Sequence, residues 1–224
     1  MNKTTWDRWA PLNGIIFIGL IVGTFFLPPK SPPTVADSPA EWAAHLQDHR
    51  TALLISSYLT GLALVFFLFF LGSFVSRLRG AGEARLATVA LGGGLVTAWV
   101  GWMSLEASLT WDLVNDVPAG DVKVLLGTAD FGFPIPLATL VGATSIAAWR
   151  SRIWPTWLSM IGMFSALWIV VGGAALMRDG FFSPHGGYRL VGFLLFFVWL
   201  LLAAIFMLVR PSEDENPVAV PATM

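Results

Sequence analysis

The chain has 224 residues, 56% hydrophobic and only 12% charged, about half the charged share of a typical soluble domain. A mean hydropathy of +0.72 and a net charge of −1 exclude a soluble polar domain and give no basic footprint for a nucleic-acid partner. With no cysteine and three histidines, disulfides, thiolate nucleophiles and iron–sulfur ligation are excluded, and zinc and haem chemistry is restricted.

A helix needs about 20 apolar residues to cross the hydrocarbon core, and six stretches meet or approach that length. The first, residues 11–27, follows Lys3 and Arg8. A cleaved signal peptide has the same layout, with Thr34-Val35-Ala36 as its cleavage candidate. Trp6 and Trp9 as an interfacial anchor, and Gly19-x-x-x-Gly23 as a packing motif, favour a retained span. Ser38-Pro39-Ala40-Glu41 then forms a capping-box pattern with proline at the first helical position. It predicts a short helix to about His49, with Trp42, His45, Leu46 and His49 on one face, lying on the outer membrane surface.

The remaining runs cover residues 51–75, 86–109, 131–149, 157–177 and 190–209. They are too long and uniform for barrel strands. Gly93, Thr97 and Gly101, and later Gly162 and Ala166, place small residues at helical contact spacing, which suits close helix packing. Asp130 precedes Phe-Gly-Phe-Pro-Ile-Pro and reads as the N-cap of the fourth span. Pro134 and Pro136 leave two carbonyls without their usual donors, and these could alternatively coordinate a cation. The segment 211–224 is acidic, contains proline and is expected to be a disordered cytoplasmic tail.

Orientation follows from the basic residues near the span ends. Lys3, Arg8, Arg77, Arg79, Arg85, Arg150, Arg152 and Arg210 fall in one set of short segments. Lys30, Arg50, Lys123, Arg178 and Arg189 fall in longer loops of the other set. The richer set should be cytoplasmic, which places both termini inside a cell membrane and leaves the outer face acidic. Trp6, Trp9, Trp149, Trp154 and Trp157 then belong to the inner interfacial belt. The expected fold is all-α: a polytopic transmembrane bundle of six spans over residues 1–210.

Three further groups of residues could carry chemistry. Trp99, Trp102 and Glu106 form a stripe at i, i+3 and i+7, where an acid beside two indoles could hold a cationic or amphipathic ligand. The plainer reading has the indoles filling the bundle and Glu106 at the outer interface. Arg189, a cation at the start of the sixth span, opposes the helix dipole and calls for a carboxylate, with Glu106 and Asp130 as the nearest candidates. Glu41, His45 and His49 lie at i, i+4 and i+8, with His185 on the same side, a set that could bind zinc or copper. Wet histidines on an amphipathic helix explain the same pattern, and no metal site is assigned. No serine-hydrolase elbow, Walker A sequence or in-span lysine or histidine is present, so no catalytic residue and no cofactor is expected.

Phe66 to Arg79, the turn Arg152-Ile153-Trp154-Pro155-Thr156-Trp157-Leu158, and Gly180-Phe181-Phe182-Ser183-Pro184 resemble a bacterial group of multi-pass membrane proteins of unknown function. The resemblance implies six spans and supplies no activity. The sequence points to a non-enzymatic binding or transport scaffold for a small amphipathic or lipid-like ligand, open to the outer face. The alternatives are an accessory subunit of a membrane assembly and a metal-dependent membrane enzyme. The expected partners are the lipid bilayer and either that ligand or other membrane subunits.

Overall fold

A computed structural model describes residues 9–27, 37–113, 121, 124, 132–173, 181 and 187–209, with backbone alone at 104–113 and 173. The described residues are all-helical, with no strand. The helices are α1 (Leu12–Thr24), α2 (Pro39–Asp48), α3 (Arg50–Gly80), α4 (Ala84–Leu113), α5 (Pro134–Ser151), α6 (Thr156–Gly173) and α7 (Gly187–Val209). Three are long and apolar enough to cross a membrane: α3, α7 and the Ala84–Met103 part of α4, with mean hydropathies of 2.2, 2.8 and 1.5. The helices α1 and α6 are apolar but shorter. Each of the six sequence-predicted spans corresponds to one of the helices other than α2, with ends shifted by a few residues.

The six helices form a ring. Each packs on its chain neighbour, α1 packs on α3, and α7 closes on α1. Neighbours run antiparallel. Gly14 meets the Phe70 ring while Phe17 lies 5.1 Å from Phe67 between ring centroids. Gly94 meets Leu71 while Gly101 meets Leu64. Gly93 abuts the backbone of Pro136 and Leu140, and Gly142 faces Ala166. These contacts need glycine: a Cβ on Gly93 would sit 2.7 Å from the Leu140 nitrogen. Gly93, Gly101 and Gly162 thus serve the close helix approach expected of them.

The ring's interior is filled. Phe67, Phe70, Leu71, Phe74 and Leu78 of α3 recur at helical spacing and are almost fully buried, against Leu158 of α6 and Trp199, Leu200 and Met207 of α7. Phe74, Trp154 and Trp199 meet at centroid distances of 5.2, 6.0 and 6.1 Å. Where the surroundings are apolar, such interlocking gains through dispersion rather than through water release.

Two turns at one end define the ring's edge. The α3–α4 turn is a Schellman motif: Glu83 N–H donates to Leu78 O and Gly82 N–H to Arg79 O. Gly82 takes φ +85°, the left-handed conformation that the motif's C′ position requires. The α5–α6 turn uses Arg152 at φ 56°. Arg150 Nε ties the two turns together, 3.1 Å from Glu83 Oε1. Arg77 Nη2 donates to the Met207 carbonyl at 3.0 Å, so α7 ends at this same edge.

One sequence expectation is corrected. Trp154 is not an interfacial anchor: it is 7% exposed and packs inside, because the turn at Arg152 and Pro155 directs it back onto Phe74. Trp9, Trp149 and Trp157 are exposed as expected. The helix α5 begins at Pro134 with Phe133 in the cap position and no side-chain cap, and Asp130, the residue expected to cap the fourth span, lies outside the described residues. Pro136 stands at the third helical position and carries no N–H, so one of the two donors that a capping side chain would satisfy does not exist.

Candidate functional site

The register of α4 decides where the tryptophan stripe faces. Ala87, Ala90, Thr97, Ala98 and Val100 are buried, and Gly93, Gly94 and Gly101 meet α5 and α3. The opposite face carries Val89, Leu95 and Val96, with Trp99 at 61% and Trp102 at 52% exposure. The two indoles therefore lie one turn apart on the outside of the ring and do not fill the bundle. Glu106 follows Trp102 by one further turn of the same helix, and its side chain lies outside the described residues.

Arg189 sits elsewhere. It is half-buried in the first turn of α7, with its guanidinium carbon 5.4 Å from the Phe193 ring centroid. Phe193 reaches across the ring to Phe133 of α5 at 5.9 Å. Such an arrangement gains cation–π attraction while the cation opposes the helix dipole. Asp130 and the Glu106 side chain, the expected partners of Arg189, fall outside the described residues. The structure brings Trp99 and Trp102 together on the outside of α4 and places Arg189 on α7, which is not a ring neighbour of α4.

Beside Arg189 lies a clamp that sequence reasoning missed. Trp168 and Tyr188 stack at 4.4 Å and 6° between rings. Trp168 Nε1 donates to the Tyr188 carbonyl at 3.2 Å, and the Tyr188 hydroxyl donates to the Trp168 carbonyl at 2.8 Å. Gly172 leaves room for the tyrosine ring. The available signal was that Tyr188 is one of only two tyrosines in the chain. A second missed group is polar and fully buried. Thr144 Oγ1, Ser145 Oγ, Ser159 Oγ and Trp199 Nε1 have no hydrogen-bond partner among the described residues. Ser145 Oγ and Trp199 Nε1 converge on the bare Cα of Gly162. By contrast, Thr97 and Ser165 satisfy themselves on carbonyls one turn back. Hydroxyls in the middle of apolar helices were the signal for this group.

The helix α2 forms as its capping box predicts. Ser38 Oγ accepts from Glu41 N–H at 3.3 Å, and Ser38 N–H donates to Glu41 Oε2 at 2.7 Å. Trp42 and Leu46 are buried beneath it. His45 and His49 are half-buried, with rings edge to face at 4.6 Å. Burial, then the neighbouring His49, holds the His45 imidazole below its usual 6.5, while Asp48 acts in the opposite direction. Glu41 is committed to the cap, so it does not join the histidines. His185 lies outside the described residues. Among the described residues no group of three or more histidine or carboxylate side chains could hold a metal ion.

Compared with known proteins, the chain matches no protein-family model, no curated protein and no solved structure.

Proposed function

We propose that the chain is a multi-pass protein of a cell membrane, with six spans and both termini cytoplasmic, acting as a non-enzymatic binding scaffold for a lipid-like cationic amphipath. The observation that carries this reading is the outward exposure of Trp99 and Trp102 on α4. Two indoles one turn apart offer π-faces to a cation and apolar surface to an alkyl chain. The carboxylate of Glu106, one turn further along the helix, supplies complementary charge near the outer headgroup level. A ligand reaches such a face sideways from the bilayer. The filled interior around Phe74, Trp154 and Trp199 favours a binder over a conduit.

The test uses dodecyltrimethylammonium below its micellar concentration, titrated into the protein in phosphatidylcholine nanodiscs. Saturable quenching of tryptophan fluorescence is expected, lost in a Trp99→Phe/Trp102→Leu variant and weakened in Glu106→Gln. Unchanged binding in both variants sinks the reading. A second reading, an accessory subunit of a membrane assembly, is favoured by Gly19 and Gly23 of α1. A Cβ at either would meet no atom within 4 Å, so this small-residue face is not used inside the ring. Gly93, Gly94 and Gly101, in contrast, are consumed by internal packing.

A further inference from the structure

The edge of the ring formed by the α3–α4 and α5–α6 turns concentrates arginine. Arg79 and Arg85 flank the first turn, Arg150 and Arg152 the second, and all four are exposed. Among the described residues of this edge, one carboxylate stands against them, Glu83, whose ion pair with Arg150 brings the two turns side by side. Arg77 is committed to the Met207 carbonyl and belongs to the scaffold. Trp149 and Trp157 bracket the second turn at 52% and 53% exposure, on the last turn of α5 and the first of α6. Indoles of this exposure favour the headgroup level of a bilayer, which puts the arginines where lipid phosphates lie. Arginine offers phosphate a planar fork of donors, and the excess of arginine over carboxylate among the described residues of this edge selects anionic over zwitterionic headgroups.

We infer that this edge is a docking surface for anionic phospholipid headgroups, with Arg79, Arg85 and Arg152 as the phosphate-contacting residues and Trp149 and Trp157 setting their depth. The inference rests on the membrane-spanning reading above but not on the amphipath site. Arg150 is held by Glu83 and positions the second turn against the first.

The test is native mass spectrometry of the full-length protein released from a neutral detergent, with short-chain phosphatidylglycerol, phosphatidylcholine or inorganic phosphate added. The wild type should retain phosphatidylglycerol in preference to phosphatidylcholine, and inorganic phosphate should not displace it. Each of Arg79→Gln, Arg85→Gln and Arg152→Gln should weaken phosphatidylglycerol about fivefold, the equivalent of about 1 kcal/mol per basic residue at an anionic surface. Arg50→Gln, at the far end of α3, should change nothing. Equal affinity for the two lipids, or equal phosphatidylglycerol affinity in the triple variant, overturns the inference. So does displacement by inorganic phosphate, which would make the edge a free-anion site. Deletion of residues 211–224 should leave the preference for phosphatidylglycerol in place. A lipid preference that appears only after that deletion would make the acidic tail the native occupant and also overturns it. Where a variant does not fold, the wild type still decides: its phosphatidylglycerol affinity must fall with added salt. Failure of the wild type to enter phosphatidylcholine bilayers would instead defeat the membrane-spanning reading.

Discussion

Gly162 shows how much one missing Cβ controls. Its Cα lies against Ser145 Oγ and Trp199 Nε1, so three helices meet at a point with no space for a methyl group. Gly162→Ala should destabilise the protein by about 1–3 kcal/mol, the usual cost of overpacking, read as a lower thermal midpoint in detergent. Removing the opposing oxygen in Ser145→Ala should recover part of that loss, so the double variant should be less damaged than the two single effects added together. A strictly additive result would show that the oxygen is not the obstacle. The Trp168–Tyr188 clamp makes a smaller claim. Tyr188→Phe keeps the stacked ring but loses one hydrogen bond, worth about 1 kcal/mol, and should lower the midpoint accordingly.

Among the elements, α2 answers most directly to its own sequence. Ser38→Ala removes the acceptor for Glu41 N–H and should cost α2 about 1 kcal/mol, measured as faster amide exchange confined to residues 39–48. The helix should also respond to pH. The folded state holds His45 below 6.5, so the unfolded segment binds more protons as pH falls. The associated stability is complete above about 6.5 and is lost as pH drops through the lower folded value. The protection of α2 amides, taken relative to the intrinsic exchange rate at each pH, should fall from about pH 7 to about pH 5, and His45→Gln should flatten that dependence. This element was legible because capping chemistry is local: Ser38, Pro39 and Glu41 specify it within four residues. The spans were legible as apolar runs, and the contact glycines as small residues at helical spacing. What was not legible is which side of each span faces its neighbours. In lipid both sides are apolar, so the polar–apolar contrast that orients a soluble helix is missing. Trp154, expected at the headgroup level, is buried against Phe74, and Trp99, whose plainer reading was to fill the bundle, lies outside the ring. The Trp168–Tyr188 pair is hidden for a different reason, since its partners are 20 residues apart and meet only once α6 and α7 pack.

At the scale of the whole molecule, the alternating helices place the α3–α4 turn, the α5–α6 turn and the end of α7 at one edge, joined by Glu83–Arg150 and Arg77–Met207. Arg77, Arg79, Arg85, Arg150 and Arg152, from the set that sequence reasoning assigned to the cytoplasm, thus share one edge. Reporter domains fused after Arg152 and after Lys123 should read inside and outside respectively. The reverse pattern would invert the orientation proposed for the chain. Closure of the ring by α7 on α1 has a consequence for synthesis. Of its two ring neighbours, α1 meets α3 early in synthesis, but α7 is made only after all the other helices of the ring. Until then Phe17 has no Phe197 to pack against, and one flank of α1 stays open to lipid or to a chaperone. A nascent chain stopped before α7 is therefore an unclosed arc, and the cell can recognise it as unfinished by that bare flank.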